Sequence, residues 1–262
     1  MNIKKARFIY FSPTGTSKRV AEMIKEHFDT ETECYDVTNK AFEEDCSFDK
    51  DDVLIISYPV YCGRVPELAC ERIENLKGNN TPAVIIATYG NRLYEDALLE
   101  MKDILHKRGF VTKGAAAVVA EHSVVRTIAA GRPDENDKAE INKFAEEVVS
   151  KLSDAEGFDG VEDINVPGSY PYRRRIEVSL LPKTTTDCTK CGLCIKECPV
   201  GAISMDDDGK VITNKNRCIN CVRCIRVCPK DARTLGKIKN IIRKTFLTLS
   251  GAKIRKPNEF YI

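Results

Sequence analysis

The sequence predicts an α/β protein: a doubly wound parallel sheet of five strands, followed by a smaller α+β domain rich in cysteine. Three observations lead there. Over residues 1–152, short apolar runs alternate with stretches of helical periodicity, the βαβ pattern that builds a parallel sheet covered on both faces. Eight of the 12 cysteines crowd into the 41 residues from Cys188 to Cys228. Charge divides in a similar place: residues 1–165 carry 21 Lys and Arg against 31 Asp and Glu, and residues 166–262 carry 20 against 8.

The composition excludes several classes. With 42% apolar and 31% charged residues, the 262-residue chain is ordinary for a globular protein. No run approaches the roughly 18 apolar residues of a membrane helix. The apolar stretch Phe8–Phe11 behind the basic start MNIKKAR is too short for a signal peptide. A cytoplasmic protein with no stable membrane insertion is expected. The basic second half carries no nucleic-acid recognition motif, so no nucleic-acid partner is expected.

The first strand is expected over Arg7–Phe11 and the first helix over Thr16–Phe28. Between them FSPTGTSKR forms a turn rich in hydroxyls: Ser12, Thr14, Thr16 and Ser17 surround Gly15, and Pro13 stiffens the bend. It is not a Walker A loop, because Tyr10 stands where the first glycine belongs and Thr16 where the lysine belongs. Nor is it a dinucleotide fingerprint, since Gly15 is alone. Two readings stay open at this point. N–H groups and hydroxyls at the helix N-terminus enclose one phosphate, or the turn is a plain N-cap.

Strands follow over Glu33–Val37, Asp52–Tyr58, Ala83–Thr88 and Gly114–Ala120, with helices over Pro66–Asn75, Tyr94–Arg108 and Asp134–Leu152. Val53–Ser57 and Ala83–Ala87 are nearly unbroken apolar runs, as a strand buried on both faces requires. In the last helix Ile141, Phe144, Ala145, Val148, Val149 and Leu152 fall on one core-facing stripe. GRPDEND opens that helix, with Asp134 and Glu135 at its positive end.

Ligands of such sheets bind beyond the carboxyl ends of the strands. Two further loops lie on that edge, YPVYCGRVP from Tyr58 and TYGNRLYEDAL from Thr88. Each offers a glycine for close approach and a tyrosine for stacking: Tyr61 in one, Tyr89 or Tyr94 in the other. A monophosphate turn flanked by two such loops suits FMN. Cys62 has no assigned base and reads as a small loop residue. His122, after the fifth strand, reads first as a loop histidine and is the candidate catalytic proton donor.

The cysteine blocks are CTKCGLCIKECP from Cys188 and CINCVRCIRVCP from Cys218. Each reads C-x2-C-x2-C-x3-C-P, and an offset of 30 residues also brings Ala202 and Ala232 into register, so this is an internal duplication. Structural zinc takes two separated C-x2-C pairs, and disulfides suit secreted chains. Four cysteines in one run ending in proline resemble the bacterial-type ferredoxins with two [4Fe–4S] clusters. Three close thiolates hold one cube, and the fourth reaches the other. That assigns Cys188, Cys191, Cys194 and Cys228 to the first cluster, and Cys218, Cys221, Cys224 and Cys198 to the second. An oxidised cube with four thiolates carries a formal charge of about −2. Lys190, Lys196, Arg217, Arg223 and Arg226 sit among the ligands, where positive charge favours the reduced clusters.

Residues 1–152 resemble flavodoxins, whose phosphate loop reads [ST]-x-T-G-x-[ST]. The whole chain resembles the EFR1-type flavodoxin–ferredoxin fusion family, through PVYCGRVP, TYGNRLYEDAL, AAGRPDEND, the eight cysteines and the closing KPNEFYI. The resemblance implies a flavodoxin-like strand order of 2-1-3-4-5 and an FMN phosphate bound by Ser12, Thr14, Gly15, Thr16 and Ser17. It implies that Pro59, Val60, Tyr61, Cys62 and Gly63 cover one face of the flavin, with Tyr61 stacked on it and a Cys62 or Gly63 peptide at N5. Thr88, Tyr89, Gly90, Asn91 and Tyr94 form the second flavin loop on the same grounds. Arg64 and Arg92 depart from the acidic loops usual in flavodoxins, and either one at flavin N1 would favour the reduced ring.

Four segments are expected: a flavodoxin-like domain at 1–152, a linker at 153–182, a ferredoxin domain at 183–235 and a basic C-terminal segment at 236–262. Gly and Pro mark the linker, and its Arg173, Arg174 and Arg175 read as a solvated basic face. In the tail Ile238, Ile241, Ile242 and Leu247 form an amphipathic stripe expected to dock on the neighbouring domain. The expected function is electron transfer between two [4Fe–4S] clusters and FMN, with redox proteins as partners. The alternative is a ferredoxin-dependent FMN reductase acting on a small organic substrate. No nicotinamide loop is visible, so direct use of NAD(P)H is disfavoured.

Overall fold

The computed structural model describes residues 3–42, 45–153, 162–176, 181–236, 245 and 254–262. Strand β1 (Lys5–Tyr10) turns at Gly15 into α1 (Thr16–Lys25), and β2 (Glu31–Asp36) follows. The two-residue β3 (Cys46–Ser47) precedes β4 (Asp52–Pro59), α2 (Glu67–Arg72) and β5 (Leu76–Lys77), which pairs with β3. Then come β6 (Thr81–Tyr89), α3 (Ala97–His106), β7 (Phe110–Val119) and α4 (Glu135–Ser153). β1 lies between β2 and β4, β4 pairs with β6, and β6 with β7, all in parallel. Over these five long strands the order is 2-1-3-4-5, as expected. The order reverses at β1 and β4, so a ligand crevice opens beyond their carboxyl ends.

The alternation of side chains explains the two layers. Ile9, Leu54, Ile56 and Ile85 face α2 and α3, joining Ala69, Leu98, Met101 and Leu105 in one core. Phe8, Val53, Ile55 and Val84 face the opposite way, against Val20 and Ile24 of α1 and Ile141, Phe144 and Val148 of α4. Full burial of each such large apolar side chain stabilises the fold by roughly 1.5–3 kcal/mol.

Residues 162–176 lie along this domain. Ile164 N donates to Thr112 O at 3.0 Å, and the Asp96 carboxylate accepts from Ser169 N at 2.9 Å and Arg173 N at 2.7 Å. Arg173 pairs with Glu95, and Arg175 with Glu100 at 2.8 Å and Glu67 at 3.1 Å. The expectation of a solvated basic face is therefore corrected for these two arginines. Their partners come from α2, α3 and the loop before α3, far away in sequence.

The second domain contains β8 (Lys183–Thr184), α5 (Leu193–Lys196), β9 (Ile203–Met205), β10 (Val211–Thr213), α6 (Arg223–Arg226) and β11 (Arg233–Thr234). β9 and β10 form an antiparallel hairpin, and β11 pairs with β8. The duplication shows in the backbone. Left-handed residues Lys190, Gly192 and Gly201 recur 30 residues later as Asn220, Val222 and Asp231. Val222, at φ +55, is a β-branched residue in a conformation that costs an ordinary residue roughly 1–2 kcal/mol. Its side chain is buried beside Leu235, Ile225 and Val124 of the first domain, which offsets part of that cost.

The chain then returns to the first domain. β12 (Glu259–Tyr261) adds to β7 in antiparallel fashion, so the sheet has six strands, ordered β12-β7-β6-β4-β1-β2. This corrects the five-stranded expectation; a three-residue strand is too short to display alternation in sequence. Buried Asn258 fixes it, accepting from Val119 N at 2.8 Å and donating to Asp137 Oδ1 at 2.9 Å. Phe260 stacks on Phe144 with centroids 5.0 Å apart. The proposed stripe of Ile238, Ile241, Ile242 and Leu247 lies outside the described residues. Among the described residues, no helix is long and apolar enough to cross a membrane.

Candidate cofactor sites

Gly15 is the N-cap of α1 at φ +88, a left-handed conformation natural to glycine. No N-cap side chain closes the helix end. Ser12 Oγ accepts from Lys18 N at 3.0 Å and Ser12 N donates to Thr38 Oγ1 at 2.8 Å, while Ser17 Oγ meets Thr88 Oγ1 at 2.7 Å. Ser12, Ser17 and Thr88 thus tie the turn to the sheet, leaving the Thr14 and Thr16 hydroxyls outside these bonds. Among the described residues, the N–H groups of Thr16 and Ser17 have no protein acceptor. A Cβ on Gly15 would meet nothing within 4 Å, so open space adjoins these donors. Free N–H groups at a positive helix end fit a phosphate. The cations that follow the turn in sequence are engaged elsewhere: Lys18 Nζ sits 3.7 Å from Glu22, and Arg19 donates to Pro133 O at 2.7 Å.

After β4, Tyr61 and Arg64 exchange backbone hydrogen bonds of 3.0 and 3.1 Å around Cys62 (φ +51) and Gly63 (φ +79). Two left-handed residues make this a type I′ turn, with a non-glycine strained at Cys62. Val60 N donates to Thr88 O at 2.8 Å and Asp96 N to Gly63 O at 3.0 Å, so both predicted flavin loops, beginning at Pro59 and Thr88, are stitched together. The Tyr61 ring is half-buried; burial of its hydroxyl and the nearby Cys221 sulfur hold its pKa well above the ordinary value.

Other loop side chains point elsewhere than expected. Tyr89 is buried edge-on to Tyr94 at 5.4 Å, and burial pushes its hydroxyl up to about 12. The Tyr94 hydroxyl meets Glu259 at 2.7 Å and Tyr261 at 2.8 Å. Asn91 Nδ2 donates to Ile254 O at 2.7 Å. The C-terminal segment holds the Asn91 and Tyr94 side chains, so these two are corrected from ring-facing to tail-holding. Arg64 is corrected too. It forms a bidentate pair with Glu100 at 2.8 and 2.7 Å and lies over the Tyr172 ring at 4.8 Å. Arg92 lies 3.6 Å from Glu95.

His122 packs against Gly90, where a Cβ would come within 2.6 Å of its ring. Its Nδ1 accepts from Val124 N at 3.2 Å and Val125 N at 3.1 Å, so the proton sits on Nε2. Burial lowers its pKa to about 4. At neutral pH it is an uncharged hydrogen-bond donor, a weak general acid.

In the second domain, Cys188, Cys191, Cys194 and Cys228 line one cavity together with Arg233. Of the second predicted set, Cys224 and Cys198 lie in one cluster with Cys194 and Cys188 of the first. The two halves repeat one bond: Ala202 N donates to Cys198 Sγ at 3.2 Å, and Ala232 N to Cys228 Sγ at 3.3 Å. Among the described residues, no three His, Cys, Asp or Glu side chains converge on a single metal ion. A tetrahedral zinc would need sulfurs about 3.8 Å apart, given Zn–S bonds near 2.3 Å. Four thiolates spread around a cavity fit the separate corners of a cube better than one ion.

The second cysteine block faces the carboxyl edge of the sheet. Ile219 packs against the first domain's core, and Arg223 donates to Pro13 O at 3.1 Å. Arg226 pairs with Glu121 at 3.2 Å. Between the domains lies a cavity of about 690 Å³, bounded by Thr14 and Gly15, by Val124 and Arg126, and by Arg223 and Arg226. Sequence reading missed Glu100 and Arg233. The 30-residue repeat held a signal for Arg233, because Ile203 occupies its place in the first half.

Residues 187–233 match the family of the 4Fe-4S dicluster domain. No curated protein matches the chain. Among solved structures it is similar to the Streptococcus pneumoniae TIGR4 flavodoxin, at 16% identity and a TM-score of 0.41 over 56% of this chain and 99% of that one. Oxidised Flavodoxin 2 from Bacillus cereus gives 18%, 0.42, 56% and 99% in the same order. An FMN-dependent NADH-azoreductase from Bacillus anthracis gives 10%, 0.38, 55% and 99%. By its own strand order and this family match, the chain joins a flavodoxin-like α/β domain to a 4Fe-4S domain.

Proposed function

We propose that the protein transfers electrons within one chain, between two [4Fe–4S] clusters and an FMN at the carboxyl edge of the sheet. The observation that carries this reading is the docking of the second cysteine block on that edge, with Ile219 packed on the first domain's core and Arg223 bonded to Pro13 of the phosphate turn. Clusters accept single electrons and a flavin converts between one and two, which is the chemical reason to join them. The chain's residues would do the rest. Thr14, Gly15 and Thr16 hold the phosphate, and the Tyr61–Arg64 turn presents a peptide and a ring to the flavin. The N–H groups of Ala202 and Ala232 orient Cys198 and Cys228. A low-potential ferredoxin-like donor and an acceptor oxidoreductase are the partners of this reading.

The reductase alternative has less support, because His122 is held neutral with its Nδ1 already engaged. Anaerobic reconstitution with iron, sulfide and flavin assays tests the core. Rapid-mixing reduction of the loaded protein should then show cluster and flavin bleaching together at a rate independent of protein concentration. Absence of bound flavin, or flavin reduction that scales with protein concentration, refutes intramolecular transfer.

A further inference from the structure

Arg233 is 2% exposed and has no carboxylate partner among the described residues. Its guanidinium donates to neutral oxygens, Thr184 Oγ1 at 2.6 Å, Thr213 Oγ1 at 2.5 Å and Pro182 O at 3.3 Å. These occupy the terminal nitrogens but leave the charge uncompensated. Burying an unpaired cation costs several kcal/mol, so the fold calls for an anion that the polypeptide does not supply. The sulfurs indicate where it belongs. Arg233 lines the cavity of Cys188, Cys191, Cys194 and Cys228, and one of its terminal nitrogens lies 4.0 Å from Cys224 Sγ in the other set. Its Nε is buried with no partner.

The duplication supplies an internal control. Thirty residues earlier the same position holds Ile203, also buried, in contact with apolar neighbours and cysteine. The lining of the two halves is therefore unequal in charge by one buried cation.

We infer that Arg233 is the shared counter-charge of the two clusters and sets their reduction potentials from between them. The inference rests on the iron–sulfur part of the reading above. Each reduction adds one electron from a low-potential one-electron donor to one cluster, with no proton and no leaving group. The added negative charge is stabilised by the guanidinium, so the reduced state of both clusters is favoured.

The test uses the full chain, reconstituted anaerobically, as wild type and as Arg233→Ile, Arg233→Gln and Arg233→Lys. Iron and sulfide are counted first, and the clusters are then titrated with dithionite under electron paramagnetic resonance. The Ile and Gln variants should show about a tenfold lower reduced-to-oxidised ratio at fixed ambient potential, which is 59 mV for one electron. The Lys variant should stay closer to wild type. Wild-type potentials in a loaded Ile or Gln variant overturn the proposal. If Ile and Gln fail to load clusters while Lys loads, the need for charge is upheld. If all three fail, Arg233 serves packing and the proposal is overturned. A wild type without clusters instead refutes the iron–sulfur reading itself.

Discussion

Glu100 anchors the end of the Tyr61–Arg64 turn, and Glu100→Gln tests how firmly. The residue is 4% exposed. It accepts from Arg64 Nε at 2.8 Å, Arg64 Nη2 at 2.7 Å, Val65 N at 2.8 Å and Arg175 Nη2 at 2.8 Å. Gln keeps the shape but presents an N–H₂ group to one of these donors and removes the charge that both guanidinium groups face. Breaking a buried ion pair by removing one partner costs about 3–5 kcal/mol. The lower end applies here, because Arg175 is 31% exposed and can rehydrate, whereas Arg64 is 11% exposed. A loss of about 3 kcal/mol is therefore expected. Urea denaturation of the reconstituted protein, followed by near-ultraviolet circular dichroism, measures it without adding salt. Because Arg64 ends the Tyr61–Arg64 turn, flavin affinity should fall in parallel, read by fluorescence quenching. A loss under about 1 kcal/mol, the range of exposed pairs, refutes the claim that this carboxylate anchors the turn.

Three other outcomes are expected. Gly15→Ala at φ +88 should cost the fold roughly 1 kcal/mol. It should weaken FMN more than riboflavin, because the new methyl points into the space beside the phosphate donors; equal weakening of both ligands argues against a phosphate there. Burial depresses the His122 pKa to about 4, so its contribution is complete above the unfolded value near 6.5 and is lost as pH falls toward 4. Between pH 7 and 5 the wild type should lose about 2 kcal/mol more than His122→Asn; parallel pH profiles would count against a buried neutral imidazole. Asn258→Leu leaves Val119 N–H without its acceptor and should destabilise by about 1–3 kcal/mol, measured by thermal melting.

The five long strands and the helices α1, α3 and α4 of the first domain were legible because their periodicity is local. Residues Val53–Ser57 announce a strand buried on both faces without knowledge of any partner. The cysteine spacing was legible for the same reason, and Cys188, Cys191, Cys194 and Cys228 line one cavity. Side-chain destinations in the loops were not legible. Arg64 looked available to a ligand, but Glu100 lies 36 residues away. Asn91 and Tyr94 looked like ring contacts, but their partners Ile254 and Glu259 lie more than 160 residues on. Such choices depend on which distant segment arrives, and a short terminal strand gives no warning of its arrival. Arg233 lay in an unequal position of a visible duplication, yet only its burial without a carboxylate gave the difference physical meaning.

The return of the chain at β12 makes the iron–sulfur domain an insertion, not an appendage. It is tied to the α/β domain at both ends, once through residues 162–176 and once through the final strand. A carrier on a single linker explores a sphere and can deliver charge at a distance. A domain tied at both ends keeps a higher effective concentration at the carboxyl edge of the sheet than one on a single linker, in roughly the millimolar range or above. In the proposed transfer, electron exchange between the halves would then be insensitive to dilution. In that reading, external redox partners would come to the assembled pair.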